Sequence, residues 1–461
     1  MVNFSDLSFP EAPKIVTAIP GDKSGQIINQ AMELDSSYVN YPRVLPIAFD
    51  EGKGATLRDV DGNIYIDFLA GISVMNFGYS NPVIMEYVNK QMRKLTHCLD
   101  FPTENKVTLL SKLNQIAPLQ LKDNCKIFFP SPTGSEAVTA ALRLAKLHTG
   151  RTTLLSFWGG YHGSNGEALA VSSWSGVYKC QHLPMLPDVH FLPFPYCYRC
   201  PFGMEHPSCN IQCLSFVKDA LENGFSGFCK PAAMIMEVVQ GEGGIHVPPK
   251  EFVQGLRKIT EEKGIVLIFD EIQCGMGRTG KFWACEHYDT TPDIITSSKS
   301  IGGLGLPFAA MIYKKEFDDQ HPGTSIGTFR GNALAMAGSL GALDFIDKYN
   351  LLAHVEKVSQ VLNDGLKDLQ KQYEVIGDVR HLGLMSAVEF VKDRKTKEPW
   401  PEFLDQYLVE SMKRGLIQWK AGYYFNVARM LPPLVVTVDM VNKALTIIEE
   451  SIKVVLKNNR S

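Results

Sequence analysis

The sequence predicts an α/β protein, with a large, mostly parallel sheet covered by helices and a smaller α+β domain beside it. Three observations carry this reading. From about residue 125, short apolar runs alternate with helical patterns. Between the first two runs, residues 134–148 place Val138, Ala141, Leu142 and Ala145 at the three-and-four spacing of one buried helix face. After about residue 345 the alternation gives way to long amphipathic helices.

In chain order, the apolar runs predict strands at 126–129, 153–157, 233–239, 265–270, 294–297 and 308–313. The first two and the helix 134–148 between them form one βαβ unit. The run 265–269 is five consecutive apolar residues, as expected of a strand buried on both faces. Beyond it, a long amphipathic helix at 352–373 is interleaved with extended pieces at 385–390 and 435–436, which define the separate C-terminal domain.

With 461 residues, 45% of them hydrophobic and 21% charged, the chain can bury a substantial core, and its length suits two or three domains, one large and one small. A formal charge of -3 and the lack of any long basic run exclude a nucleic-acid or anionic-membrane surface and point to small-molecule substrates. Residues 1–20 carry Asp6, Glu11 and prolines and lack the basic region and apolar core of a signal peptide. The apolar runs are too short to span a bilayer, so a soluble, cytoplasmic protein is expected.

The ten cysteines are then expected as reduced thiols. Cys197, Cys200, Cys209 and Cys213 form a C-x2-C and C-x3-C pair that superficially resembles a zinc site. Their separation is shorter than zinc-ribbon spacing, and Pro201, Gly203 and Pro207 intervene. A compact loop with packed thiols is the preferred reading, with no metal.

Three places carry chemistry. The loop Pro132, Thr133, Gly134, Ser135, Glu136 joins a strand to a helix, so free N–H groups and the positive helix end face one point, a phosphate-sized anion site. Ordinary helix capping explains the same residues. Asp270 ends a buried parallel strand, where α/β proteins assemble their sites; it suits a metal ligand, a general base, a counter-ion to a bound cation or a structural cap. Lys299 stands just past another core strand. A desolvated lysine there becomes an imine-forming nucleophile, although a solvated lysine is the commoner case.

Taken jointly, Gly134 and Ser135, Tyr161 with His162, the segment EVVQGEGG from Glu237 to Gly244, DEIQCGMGRTG from Asp270 to Gly280, Lys299 and Thr328 resemble the class III, or ω-type, aminotransferases of pyridoxal-phosphate fold type I. The resemblance covers roughly residues 40–440, and order and spacing fit as well as residue type, the same interval separating Asp270 from Lys299 and Lys299 from Thr328. It implies pyridoxal 5'-phosphate as cofactor, held as a Schiff base on Lys299, which would also move the proton between substrate carbon and cofactor. Asp270 would pair with the pyridine nitrogen, so that the ring accepts carbanion charge.

The resemblance further places Gln273 near the phenolic oxygen, Tyr161 across one face of the ring, and Gly134 and Ser135 at the phosphate. Thr328 would reach that phosphate from another subunit, giving a homodimer or a dimer of dimers with active sites at the subunit interface. His162 is expected to be structural, and Glu237 to support Asp270. Arg429 would bind the α-carboxylate of glutamate or 2-oxoglutarate, with Glu242 as its switch partner. Without the family context Arg429 reads equally well as a surface residue. The implied domains are a segment 1–70 contributing to the small domain, a large cofactor-binding domain 71–344 and a small domain 345–461.

Within class III, Tyr41-Pro42-Arg43, LDFP from Leu99 to Pro102, GTFRGN from Gly327 to Asn332 and RMLPPLVVT from Arg429 to Thr437 resemble the diaminobutyrate aminotransferases. The implied reaction transfers the terminal amino group of L-2,4-diaminobutyrate to 2-oxoglutarate, giving aspartate 4-semialdehyde and glutamate, or the reverse. Ser164 stands where 4-aminobutyrate aminotransferases commonly carry a carboxylate-binding arginine, which disfavours 4-aminobutyrate as donor. The segment YRCPFG from Tyr198 to Gly203 also resembles relatives acting on other ω-amines and some amino-acid racemases, so lysine, ornithine and racemase readings stay open.

Overall fold

The computed structural model describes residues 3–174, 176–185 and 188–459. The chain divides into two compact units, Met1–Pro82 with Asp347–Ser461, and Val83–Ile346. In the first, the helix Asp22–Leu34 and a short turn of helix at Tyr41–Val44 precede three antiparallel strands, β1 (Phe49–Lys53), β2 (Thr56–Asp59) and β3 (Ile64–Asp67).

The unit Val83–Ile346 is built on seven strands: β4 (Cys125–Phe128), β5 (Leu154–Phe157), β6 (Val189–Leu192), β7 (Ala233–Glu237), β8 (Val266–Asp270), β9 (Ile294–Ser297) and β10 (Ala310–Lys314). Their order is β4-β10-β9-β8-β7-β5-β6. The pairings from β6 through β9 are parallel, whereas β10 runs antiparallel to both its neighbours. Every residue of β7, β8 and β9 is buried, which explains the apolar runs that lead up to the polar residues Glu237, Asp270, Thr296 and Ser297 at their carboxyl ends.

The helix Gly134–Thr149 lies against this sheet. The Thr133 hydroxyl accepts from the Glu136 N–H at its start, and Gly150 in the left-handed region ends it, donating to the Lys146 carbonyl. Val138, Ala141, Leu142 and Ala145 join Leu154, Ile235, Val266, Ile268 and Ile294 in one buried cluster. Truncating Leu142 to Ala there should cost about 2–5 kcal/mol. Because the central strands run parallel, their carboxyl ends share one edge, and the register sets Glu237 beside Asp270 and Asp270 beside Thr296.

The returning chain completes the first unit. Its strands are β11 (Ile376–Leu382), β12 (Met385–Phe390), β13 (Leu416–Ile417), β14 (Trp419–Ala421) and β15 (Val427–Met430). β13 adds in parallel to β3, and the other four form an antiparallel sheet in the order β11-β12-β15-β14. The helices Leu351–Gln372 and Val438–Asn458 carry long apolar faces, and Thr437 caps the second.

Several expected boundaries shift. The run 308–313 becomes Ala310–Lys314, and 233–239 ends at Glu237. Val435 and Val436 are fully buried but lie in the turn before the last helix, since two β-branched residues pack equally well in a turn. The strands β1, β2, β3, β6, β11, β13, β14 and β15 were not anticipated, and two of them show why, β6 and β15. One is a half-buried edge strand containing His190 and the other is interrupted by Arg429, so neither shows an apolar run. Among the described residues no helix is long and apolar enough to cross a membrane.

Candidate active site

At the carboxyl edge of the large sheet, a cleft of about 540 Å³ is lined by Gly134, Ser135, Tyr161, His162, Gly163, Glu237, Asp270, Ile272, Gln273, Ser298 and Lys299. Residues far apart in the chain meet here because consecutive parallel strands deliver their ends to the same side.

Asp270 closes β8 and is 3% exposed. Its Oδ1 accepts from the Ile272 N–H at 3.1 Å and from the Thr296 hydroxyl at 3.2 Å. Its Oδ2 lies 2.7 Å from Nδ1 of His162, whose ring is buried. The His162 backbone N–H is in turn held by the Ser172 hydroxyl at 2.8 Å. The carboxyl group is thus fixed in rotation before any ligand arrives.

Glu237 ends the adjacent strand. Its Oε1 accepts from the Tyr161 N–H and its Oε2 from the Gly241 N–H, both at 2.9 Å. Burial pushes its carboxyl up to about 7; the Asp270 charge adds to that, while His162 and the two backbone donors oppose it. Gln273 is packed on Gly241, where a Cβ would fall 2.1 Å from its Oε1. That oxygen is buried and has no hydrogen-bond partner among the described residues.

Lys299 follows β9 with φ at +54°, a left-handed conformation costly for a residue with a Cβ. The preceding Ser298 is pinned by its hydroxyl, which donates to the Phe308 carbonyl at 2.8 Å. Across the cleft, the N-terminus of the helix Gly134–Thr149 presents Gly134 and Ser135. A Cβ on Gly134 would sit 3.0 Å from Cδ1 of Ile272, and one on Gly163, at φ +136°, would strike the Ser135 hydroxyl at 2.2 Å. Tyr161 meets Trp174 edge-on, ring centroids 5.8 Å apart.

Gly134, Ser135, Tyr161, Gln273, Asp270 and Lys299 therefore share one cleft, whereas three other candidates do not line it. Thr328 is exposed in a turn of the same unit, and Glu242 is half-buried one residue after Gly241. Arg429 belongs to the other unit, fully buried on β15 opposite Ala387 and Trp419. Ser164 is exposed, its N–H donating to the Ser135 hydroxyl at 3.3 Å. Thr296, Ile272 and the direct bond from His162 to Asp270 were not legible beforehand. The Tyr161-His162 pair was visible, but no spacing rule links positions 108 apart.

The four loop cysteines line a small separate cavity with Tyr196 and Pro249. Burial pushes the Cys213 thiol up to about 12. Among the described residues, no group of three or more His, Cys, Asp or Glu side chains is placed to hold a metal ion.

The family model for aminotransferase class-III matches residues 37–452. The chain belongs to the class-III aminotransferases. It is 38% identical over 422 residues to a diaminobutyrate--2-oxoglutarate aminotransferase of Rhizobium meliloti, covering 89% of both chains. It is also 35% identical over 450 residues to an alanine/serine racemase of Pyrococcus horikoshii, covering 96% of this chain and 93% of that one. An amine transaminase from an uncultivated Pseudomonas species, solved in its PLP-bound form, superposes with a TM-score of 0.83 at 27% identity, covering 91% and 97%.

Pyridoxal phosphate is the cofactor of this class-III aminotransferase, and the cleft fits it. A carboxylate offers about four acceptor positions. Asp270 uses two on Oδ1 and one on Oδ2, so one remains on Oδ2 for a ring N–H. Gln273, whose buried Oε1 has no hydrogen-bond partner among the described residues, lines the same cleft and offers a second polar contact. The unfilled N–H groups at the helix N-terminus suit an anion.

Proposed function

We propose that this aminotransferase moves the terminal amino group of L-2,4-diaminobutyrate to 2-oxoglutarate, giving aspartate 4-semialdehyde and glutamate, or the reverse, as a cytoplasmic homodimer. The observation that carries the substrate reading is the 38% identity to the Rhizobium meliloti enzyme over 89% of both chains. The exposed Ser164 at the cleft rim supports it, since no guanidinium stands there to anchor a donor that has only a distal carboxylate.

Bound pyridoxal phosphate supplies an electron sink for charge developing on the substrate carbon. The side chains do the rest. Asp270, locked by His162, Thr296 and the Ile272 N–H, holds the pyridine N–H. Gly134 and Ser135 would hold the phosphate with Thr328 of a second copy, Gln273 would hold the phenolic oxygen, and Tyr161, with Trp174 against it edge-on, would pack on the ring. Lys299 Nζ would hold the cofactor and would serve as the base for the proton on the amine-bearing carbon. Arg429 binds the α-carboxylate of 2-oxoglutarate while Glu242 swings aside, and Glu242 neutralises Arg429 when the diamine is bound.

A racemase reading is favoured by the Pyrococcus horikoshii relative. A donor screen separates the two. Diaminobutyrate with 2-oxoglutarate should form semialdehyde and glutamate in equal amounts, and no donor should turn over without a 2-oxoacid. Loss of optical activity from a single amino acid, with no 2-oxoacid present, would instead make the enzyme a racemase.

A further inference from the structure

Two sequence motifs, LDFP and GTFRGN, meet in the structure. Arg330 Nη2 lies 2.6 Å from Oδ2 of Asp100, and Nη1 donates to the Ser325 carbonyl at 2.5 Å. The guanidinium carbon stands 5.5 Å from the ring centroid of Phe128, at the end of β4. The Arg330 side chain is 12% exposed, whereas Asp100 is 55% exposed and Thr328 and Phe329 between the contacts face solvent.

The turn is also fitted tightly at both ends. A Cβ on Gly327 would come 3.2 Å from the Ser131 hydroxyl, and Gly331 takes a left-handed φ of +68° with room for a Cβ blocked by Met336 at 2.9 Å. Phe329 rests beside His97, ring centroids 5.9 Å apart. One arginine thus closes the turn on itself through Ser325 and ties it to a second loop through Asp100.

The geometry points to Arg330, latched by Asp100, as a positioning residue that holds the turn so that Thr328 is presented to the phosphate site of a second copy of the chain. This rests on the reading that Thr328 serves a neighbouring subunit. A half-exposed ion pair adds little to global stability. Its worth lies in ordering an exposed turn before the second subunit's cofactor arrives, because a preorganised donor spends no ordering entropy on binding.

The test measures pyridoxal-phosphate dissociation, turnover and thermal unfolding in Arg330→Ala, Arg330→Lys and Asp100→Ala enzymes. Cofactor affinity should fall roughly tenfold in Arg330→Ala, the scale of one lost charge-assisted bond. Asp100→Ala should reproduce the fall and Arg330→Lys should recover part of it, with the unfolding temperature and the substrate KM values nearly unchanged. Unchanged cofactor affinity in both alanine variants overturns the proposal. Mixing Arg330→Ala chains with Lys299→Ala chains then decides which subunit the latch serves. The hybrid's working site pairs an intact Lys299 with an intact turn from the other chain, and should bind cofactor as the wild type does. If the defect persists there while Thr328→Ala and Lys299→Ala hybrids recover, the latch serves its own chain and the proposal fails although the Thr328 reading stands. If neither hybrid recovers despite proven subunit exchange, both fall together.

Discussion

His162 Nδ1 sits 2.7 Å from Oδ2 of Asp270, and both side chains are buried at the carboxyl edge of the sheet. The contact leaves a single acceptor position on the Asp270 carboxyl group, facing the cleft, because Ile272 and Thr296 occupy the other oxygen. A carboxyl group held in this way meets a further donor in the cleft without first having to turn.

Asp270→Asn should still bind pyridoxal phosphate but lose most transamination. Its amide oxygen must take the place of Oδ1 to keep the Ile272 and Thr296 bonds, which turns an amide N–H toward His162 and the cleft. The remaining acceptor becomes a donor, and the ring nitrogen is no longer held protonated. The barrier should rise by about 3 kcal/mol or more, roughly a hundredfold in rate. Single-turnover absorbance measures this directly, and near-normal turnover would contradict the role.

Borohydride reduction of the holoenzyme followed by peptide mapping should place the pyridoxyl group on Lys299. Lys314 is a poor competitor, since its Nζ is already paired with Asp293 at 2.7 Å on β10. Label on Lys314 or Lys281 would sink the assignment.

Arg429→Ala should slow the 2-oxoglutarate half-reaction much more than the diaminobutyrate half-reaction. In the proposed mechanism only the oxoacid would place an α-carboxylate on that guanidinium, and a lost charge-assisted pair costs roughly 1.5–3 kcal/mol. The two halves can be followed separately as the aldehyde and amine forms of the cofactor interconvert. Equal slowing of both, or formation of a 2-oxo acid instead of the semialdehyde, rejects the switch between Glu242 and Arg429.

Glu271 gives a pH prediction independent of catalysis. It accepts from the Ala284 and Cys285 N–H groups, yet burial outweighs these bonds and raises its carboxyl from 4.5 to about 7. Between those values the folded chain binds the extra proton, so this group's contribution to stability falls as pH rises, by about 3 kcal/mol across the interval. Glu271→Gln loses one accepted bond at every pH but carries no titration. The urea midpoint of the variant should therefore gain on the wild type between about pH 5 and pH 7. Parallel midpoint curves would mean that Glu271 does not titrate there.

Much of the core fold was legible because a parallel strand buried on both faces must be apolar throughout. β8 appears as such a run up to Asp270, β9 only in its first half, Ile294-Ile295, and the helix Gly134–Thr149 shows its buried face at helical spacing. β6 and β15 escaped because an edge position and a strand bearing Arg429 relax that requirement. The antiparallel direction of β10 had no local signature either, since strand direction is set by the path of the chain between strands.

By itself, the sequence determined the residue types at strand ends and helix starts: an acid after one strand, a lysine after another, glycines where a helix begins. It also identified the pyridoxal-phosphate family through their order. Only the tertiary structure decided that His162 fastens Asp270, that Glu237 clamps the Tyr161 and Gly241 backbones, and that Arg330 reaches Asp100. The physical reason is that hydrogen bonds and ion pairs act over a few ångströms in space, and partners 76, 108 or 230 positions apart leave no period in the sequence.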